Sequence, residues 1–215
     1  MKASDIDSIT GYDSVVVHHR SGEWDEMIAR LGGGPVQSWA WGELKGRFGW
    51  RALRLAAADE SAAAQLLIRP FRGLAVAYVP RGPVMAHGSA LKSELIGALI
   101  SVARANQAAF LRIEPDTLDD ASDSGPLDAD LRVTGFVTSD GTIQPRSSIW
   151  VDLTPPLEQV RGAFSTGRKG RIRTAERDGV SVRVGDREGD VELLYRTLAA
   201  TAQRKGDFGI HSAAY

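Results

Sequence analysis

Arg51-Ala-Leu-Arg-Leu-Ala-Ala-Ala-Asp-Glu-Ser-Ala-Ala-Ala-Gln-Leu-Leu-Ile-Arg-Pro-Phe-Arg-Gly-Leu-Ala-Val-Ala-Tyr-Val-Pro80 is the stretch on which the fold turns. Three apolar runs, Arg51–Ala57, Ala63–Arg69 and Leu74–Pro80, are separated by Asp59-Glu60-Ser61 and by Phe71-Arg72-Gly73. Short apolar runs bounded by turn residues predict strands, and consecutive strands with short turns predict an antiparallel meander. Tyr78-Val-Pro-Arg-Gly-Pro-Val84 closes the meander. Two prolines and a glycine around one arginine predict a rigid turn there.

Upstream, the β-branched run Ser14–His18 predicts a strand. Trp24, Met27, Ile28 and Leu31 fall at i, i+3, i+4 and i+7, so Gly22–Leu31 predicts an amphipathic helix that Gly32-Gly-Gly-Pro35 ends. A second helix is expected over Gln37–Phe48, with Trp41, Leu44 and Phe48 on one face. Downstream, Leu91, Leu95, Leu99 and Val102 predict a long helix over Ser89–Gln107, with Ser89 as N-cap. Ala109–Glu114 reads as a buried strand ending at Pro115. An exposed loop over Thr117–Asp130 leads into a short helix near Leu127–Val133, then a strand at Phe136–Ser139. Asp140–Pro145 is turn material and the best linker. Beyond it are expected a strand at Ser148–Leu153, helices over Pro155–Phe164 and Ser165–Asp178 with Gly179 as C′ residue, and a strand at Val180–Val184. A last helix spans Asp190–Gln203, with Leu194, Leu198 and Ala202 on its inner face.

With 215 residues, 43% of them hydrophobic and 25% charged, the chain is long enough for one large domain or two small ones. Absence of cysteine excludes disulfides, thiolate metal sites and a cysteine nucleophile. Met1-Lys-Ala-Ser-Asp-Ile-Asp has no apolar core for a signal peptide, and no apolar run reaches membrane-spanning length, so a cytoplasmic location is expected. The four histidines, His18, His19, His87 and His211, have no partnered context, and adjacent strand residues point to opposite faces, so His18-His19 is a poor metal pair. No metal site is expected.

Charge divides unevenly. Residues 1–145 carry 14 Lys and Arg against 18 Asp and Glu, whereas residues 146–215 carry 12 against 9. The change of sign predicts two domains, 1–145 and 146–215, with anion-facing work on the C-terminal side. There, Arg161 to Arg177 holds six basic residues and one acid. Lys169, Arg173 and Arg177, at i, i+4 and i+8, form one like-charged stripe on a helix. Such a stripe suits a phosphate or an RNA backbone, or it is simply a solvated face.

The order β, α, α, βββ, α, β over residues 14–114 is that of a GNAT-like acyltransferase domain. Its opening β, α, α, β recurs from residue 148, as an internal duplication would produce. The expected architecture is therefore α/β (α+β): a GNAT-like domain followed by the start of a second, incomplete at Tyr215. Five motifs then occur in order: Gln37-Ser-Trp-Ala-Trp-Gly-Glu-Leu-Lys45, Tyr78-Val-Pro-Arg-Gly-Pro83, Leu111-Arg-Ile-Glu-Pro115, Lys169-Gly-Arg-Ile-Arg-Thr-Ala-Glu-Arg-Asp-Gly-Val180 and Thr201-Ala-Gln-Arg-Lys-Gly-Asp-Phe208. Together they resemble the FemABX peptidyltransferases, which build interpeptide bridges of peptidoglycan.

The resemblance implies transfer of an amino acid from aminoacyl-tRNA to the peptide amine of a UDP-MurNAc-peptide or of lipid II. It implies no coenzyme A, no metal, no other cofactor and no DNA partner, and peripheral membrane association where the substrate is lipid-linked. By position it implies Lys45 and Arg204 as ligands of the precursor diphosphate. A lysine makes a point-charge phosphate contact and an arginine a bidentate one. Glu114 and Asp116 flank Pro115, and either matches the family's substrate-side acid. A carboxylate there would orient or deprotonate the attacking amine. Tyr78 and Arg81 line the same cleft in this reading, with a core aromatic as the alternative for Tyr78. Phe208 stands beside Arg204, and Lys169, Arg173 and Arg177 meet tRNA or a domain interface. Family chains continue past the equivalent of Tyr215, through the rest of the second sheet and the residues acting on the tRNA acyl end.

Two other readings compete. A conventional acyl-CoA N-acyltransferase needs a glycine-rich turn from a strand into a helix N-terminus, but Ser165-Thr-Gly-Arg-Lys-Gly170 follows a predicted helix. A non-catalytic or truncated binding module fits the charge asymmetry. Serine-hydrolase chemistry has no G-x-S-x-G to rest on.

Overall fold

The computed structural model describes residues 11–86, 93–117, 124–149, 151–187, 189–206 and 209–215. The chain divides into two units, Met1–Arg146 and Ser147–Tyr215.

In the first unit β2 (Arg51–Ala57), β3 (Ala62–Phe71) and β4 (Leu74–Val79) form the expected antiparallel meander, and β1 (Val15–Val17) pairs antiparallel with β2 on its other side. Arg72 and Gly73 connect β3 to β4 with φ of 51° and 82°, the positive values that a tight two-residue hairpin loop requires. β5 (Val84–Met85) pairs with the start of β3. β6 (Ala108–Ile113) pairs with β4 in parallel, after the crossover helix α3 (Ser93–Ala105).

The sheet is covered on both faces. Leu95, Ile96, Leu99 and Val102 of α3 pack on Leu53, Leu55, Leu66 and Val79. On the other face, Trp24, Met27 and Ile28 of α1 (Ser21–Arg30) pack on Ala56, Ala63 and Val84. Burial on both sides explains why β2 and β3 read as continuous apolar runs rather than alternating ones.

α2 (Trp39–Arg47) follows a 3-10 turn at Pro35–Gln37, and the Ser38 hydroxyl caps it by accepting from Trp41 N. Its buried position is Gly42, while Trp41, Leu44 and Phe48 are only half-buried. A Cβ at Gly42 would overlap the buried side chains of Arg54 and Gln65. Gly42→Ala is accordingly expected to destabilise the first unit by about 1–3 kcal/mol despite the better helix propensity of alanine. A chemical denaturation midpoint no lower than wild type would refute this close packing.

Several expected elements differ. β6 is not buried: it is an edge strand, and Phe110 is 56% exposed. Phe136–Ser139 is irregular. It follows α4 (Ser124–Val133), where Phe136 N donates back to Leu131 O (3.0 Å) across the Gly135 turn, φ 93°, and Arg132 holds Thr138. Those local bonds hold the segment against its own helix, and among the described residues it forms no ladder with β6. The Leu91 and Ser89 parts of the long helix lie outside the described residues.

The second unit holds α5 (Leu157–Ala163), α6 (Thr166–Arg177) and α7 (Asp190–Lys205). Ser165 caps α6, and Gly179, φ 77°, ends it while Val180 N returns to Ala175 O. Among the described residues, Ser148–Leu153 and Val180–Val184 hold no strand. β propensity needs a ladder partner, and among the described residues of this unit neither segment has one. Leu194 and Leu198, expected on an inner face, are exposed, and so are Val182 and Val184. Among the described residues none of this unit's hydrophobic side chains is fully buried.

Candidate active site at the ends of two parallel strands

β4 and β6 run parallel and end side by side, at Val79 and Ile113. Carboxyl ends of adjacent parallel strands leave a crevice where loops diverge, the usual place for ligands in α/β sheets. Here Glu114 N donates to Val79 O (3.1 Å) and Gly82 N to Glu114 O (3.0 Å), which stitches the Pro80–Pro83 turn to the end of β6.

The other side of that turn is held by Gln37. β3 pairs with β5 at Ala62 and Ala63 and with β4 from Leu67 onward, so its backbone between them lacks a ladder neighbour on that edge. The fully buried Gln37 amide fills the gap. Its Oε1 accepts from Gln65 N (2.7 Å), and its Nε2 donates to Pro80 O. Trp24 Nε1 donates to the Gln37 carbonyl (2.7 Å), and Gln65 Nε2 donates to Val36 O and Ser38 O, both at 3.1 Å. A Cβ at Gly82 would press on this amide, which requires glycine there.

Arg81, at the tip of the turn with φ 46°, sends its side chain outward. Nη1 donates to Asp116 Oδ1 (2.7 Å) and Nη2 to Pro145 O (2.6 Å). Glu114 points the other way. Its carboxylate accepts from Tyr78 Oη (2.7 Å), Arg112 Nε (2.8 Å), Ile143 N (2.7 Å) and Gln144 N (3.0 Å). Burial alone would raise the Glu114 pKa, but the hydrogen bonds from Ile143, Tyr78, Gln144 and Arg112 outweigh it and hold the carboxyl below its ordinary range. Burial, and then the hydrogen bond to Glu114, push the Tyr78 phenol well above its ordinary value.

The two acids are thus separated by environment. The Glu114 side chain is 12% exposed and engaged by four donors, whereas that of Asp116 is 42% exposed and held only by Arg81 among the described residues. Glu114 is built to anchor. Among the described residues no donor meets Asp116 Oδ2.

Tyr78 is buried beneath the site with its hydroxyl satisfied by Glu114, the core-aromatic alternative of the sequence reading. Lys45, half-buried in the last turn of α2, lies 5.4 Å from the Trp41 ring and 5.3 Å from the Trp50 ring. Both rings make cation–π contacts with its ammonium. Arg204 is exposed in the last turn of α7, in the second unit, and Phe208 lies outside the described residues. Lys169 donates to Gly162 O (2.7 Å), Arg177 pairs with Asp178, and Arg173 is exposed. Among the described residues no group of three or more His, Asp or Glu side chains could hold a metal ion. No described helix is long and apolar enough to cross a membrane.

Sequence reasoning did not find Gln37, Gln65, Arg54 and Arg112 as supports, nor the return of Ile143–Pro145 onto the site. One signal was available: Gln65 and Arg54 interrupt apolar strands, and a buried polar side chain requires a partner. Arg54 finds it 3.5 Å over the Trp39 ring, with its Nη2 on Trp39 O and Glu43. The Asp140–Pro145 segment reads as a linker in the sequence, but Ile143, Gln144 and Pro145 are tied to Glu114 and Arg81.

A meander with a parallel edge strand, helices on both faces and loops diverging at the strand ends defines a mixed α/β fold. The FemAB family model matches residues 33–126, which span the Gln37 plug and both acids. The lipid II:glycine glycyltransferase of Staphylococcus aureus is 26% identical over 208 residues, covering 88% of this chain and 48% of that protein. The crystal structure of FemX superimposes with a TM-score of 0.74 at 25% identity, covering 94% of this chain and 52% of that one. By family model, by sequence and by fold the chain is similar to proteins of the FemABX family. It spans about half the length of the curated relatives it matches.

Proposed function

We propose that the chain serves an aminoacyltransferase reaction of the FemABX type. An amino acid passes from its ester on tRNA to the peptide amine of a peptidoglycan precursor, UDP-MurNAc-peptide or lipid II, as in interpeptide bridge formation. The likeness to a lipid II:glycine glycyltransferase over 88% of the chain supports this reading. The observation that carries it into the structure is the outward Arg81–Asp116 pair at the ends of β4 and β6.

In this proposal residues 1–145 form one GNAT-like domain and residues 146–215 the opening part of another. Lys45 and Arg204 are each assigned as ligands of the precursor diphosphate, and Arg81 and Phe208 as contacts of the substrate. Tyr78 acts from below, as a support through Glu114. Asp116 Oδ2 receives the acceptor's ammonium and takes its proton, leaving a neutral amine. The amine nitrogen attacks the ester carbonyl, the new C–N bond forms, and the ester C–O bond breaks as one proton of the attacking nitrogen passes to the tRNA 3′ oxygen, which leaves as a hydroxyl. Glu114, already filled by four donors and held ionised, positions the Pro80–Pro83 turn and Ile143–Pro145. Because aminoacyl-tRNA is the donor, the reaction belongs to the cytoplasm, and a lipid-linked acceptor would bring the protein to the membrane surface.

The test uses a mixed aminoacyl-tRNA pool with a UDP-MurNAc-pentapeptide, read by mass spectrometry, alongside calorimetric binding of the same muropeptide. Asp116→Asn is expected to lower kcat/KM by about 100-fold, the ordinary scale of a lost proton acceptor, with little change in muropeptide binding. Lys45→Ala and Arg204→Ala are expected to weaken muropeptide binding. Wild-type binding no tighter than that of the Lys45→Ala/Arg204→Ala double variant would sink the assignment.

A further inference from the structure

We infer that the acceptor's peptide docks as an added strand on the open edge of β6, held by the outward backbone groups of Leu111 and Ile113. This rests on the proposed reaction and gives its acceptor a place. The sheet order β1-β2-β3-β4-β6 leaves β6 at one end. Glu114 N donates inward to Val79 O, and Leu111, Arg112 and Ile113 stand beside Ala77, Tyr78 and Val79 in the parallel ladder. The register shift in that ladder falls between Ala75 and Ala77, upstream of the pair at Leu111. Backbone groups alternate in direction along a strand, so those of Leu111 and Ile113 point away from β4. Among the described residues they meet no hydrogen-bond partner. Sheet edges are commonly blunted by lysine, proline or short length. β1, at the other end, is three residues long. β6 has six residues with no lysine or proline, and its one charged side chain, Arg112, is turned onto Glu114.

The edge opens on a slot that leads to the candidate site. A cavity of about 410 Å³ is lined on one side by β6 and Glu114-Pro115, and on the other by Leu131, Phe136, Val137 and Thr142. That facing wall is fixed by its own bonds, Phe136 N to Leu131 O and Arg132 to Thr138 (2.6 Å). At the Glu114 end, just past Thr142, the N–H groups of Ile143 and Gln144 close on the carboxylate. The backbone selects the occupant. Leu111 and Ile113 present two donors and two acceptors in the plane of the sheet, about 7 Å apart along it. Hydrocarbon lying in the slot would bury those groups unpaired, which is costly. An extended main chain offers the matching alternation, the way peptides join sheet edges. Position then selects among peptides. Asp116 lies three residues beyond Ile113, so a strand paired at Ile113 is within about 10 Å of the acid that receives the amine in the proposed reaction.

The experiment follows amide hydrogen exchange by NMR in the isotope-labelled full chain, alone and with saturating UDP-MurNAc-pentapeptide or UDP-MurNAc lacking the peptide. The pentapeptide precursor is expected to slow exchange at Leu111 and Ile113 by at least about 10-fold, the scale of a backbone hydrogen bond gained at each end of the pairing. UDP-MurNAc should leave both amides unchanged. The Arg112 N–H, which faces β4, reports general stabilisation and should change less. Leu111→Pro removes the outward N–H without removing a ladder bond, and is expected to weaken binding of the pentapeptide precursor by about 10-fold while UDP-MurNAc binds as before. Leu111→Ala loses the same side-chain packing, keeps the N–H and should bind like wild type. The wild-type exchange data decide the question independently of how the proline variant folds. Unchanged exchange at the two amides with the pentapeptide precursor overturns the inference, as does equal protection by UDP-MurNAc. Slow exchange there in the free chain overturns it too, because a segment of this chain or a second copy then holds the edge. Protection as expected with no aminoacyl transfer would defeat the proposed reaction and leave the docking edge standing, whereas transfer without protection would do the reverse.

Discussion

Gln37→Leu is expected to lower the stability of the first unit by about 2–6 kcal/mol, because each of two buried backbone groups left without a partner costs about 1–3 kcal/mol. Leucine has nearly the volume of glutamine, so little cavity is created. The substitution removes the acceptor for Gln65 N and the donor for Pro80 O, in a place that is fully buried. Water cannot replace either bond without opening the sheet between β4 and β5. The damage also reaches the site, since Pro80 begins the turn that aims Arg81 at Asp116. Gln37→Glu separates the two roles: it keeps the acceptor, removes the amide donor and buries a charge, so it should be at least as damaging. The measurement is a urea or guanidinium titration followed by tryptophan fluorescence, with Trp24 beside Gln37 as reporter. A midpoint within error of wild type for Gln37→Leu would show that the ladder gap is filled by something other than this side chain.

Replacing Glu114 tests the anchoring role and has a pH signature. Glu114→Ala leaves the buried Tyr78 hydroxyl, Arg112 and the N–H groups of Ile143 and Gln144 without their acceptor. A destabilisation of about 2–4 kcal/mol is expected, the range for removing one partner of a buried charged hydrogen-bond network. The sign of the pH effect follows from the depressed folded pKa of Glu114. Its contribution is complete above the ordinary glutamate value of about 4.3 and is lost as pH falls through the lower folded value. Wild type minus Glu114→Gln should therefore show a stability difference that is constant near neutrality and shrinks on acidification below that range. A difference that stays flat from about pH 7 to about pH 3 would mean that Glu114 is not held as a carboxylate. Catalysis offers a second readout: Glu114→Gln, which keeps an acceptor oxygen, should preserve more transferase activity than Glu114→Ala.

Much of this molecule is legible in its residues. The apolar period of Trp24, Met27, Ile28 and Leu31 places α1 and its buried face, and the runs from Arg51 to Val79 mark the three strands of the observed meander. The pairing of Pro with Gly around Arg81 marks the turn. Where β propensity was read without a partner strand, at Phe136–Ser139, Ser148–Leu153 and Val180–Val184, the structure is irregular among the described residues. Local composition reports that a segment could be a strand; whether a ladder neighbour exists is a non-local fact. The same reason makes β6 an exposed edge rather than the buried strand that its Ala-Phe-Leu-Arg-Ile run suggests.

The acids at 114 and 116 show the division most sharply. Their identity, their spacing across Pro115 and their place at a strand end follow from the sequence alone. Nothing in Glu-Pro-Asp distinguishes one carboxylate from the other. The distinction comes from residues 36 and 29 positions away, Tyr78 and Ile143, which converge on Glu114 and leave Asp116 facing outward on Arg81. Gln37 is the parallel case: as a letter it begins a helix, and only the divergence of β4 and β5 from β3 makes its amide a substitute for a missing strand. Periodicity and turn chemistry act between near neighbours and are written in the chain. Burial, hydrogen-bond saturation and the pKa shifts they cause depend on which distant segments meet, and only the tertiary structure decides that.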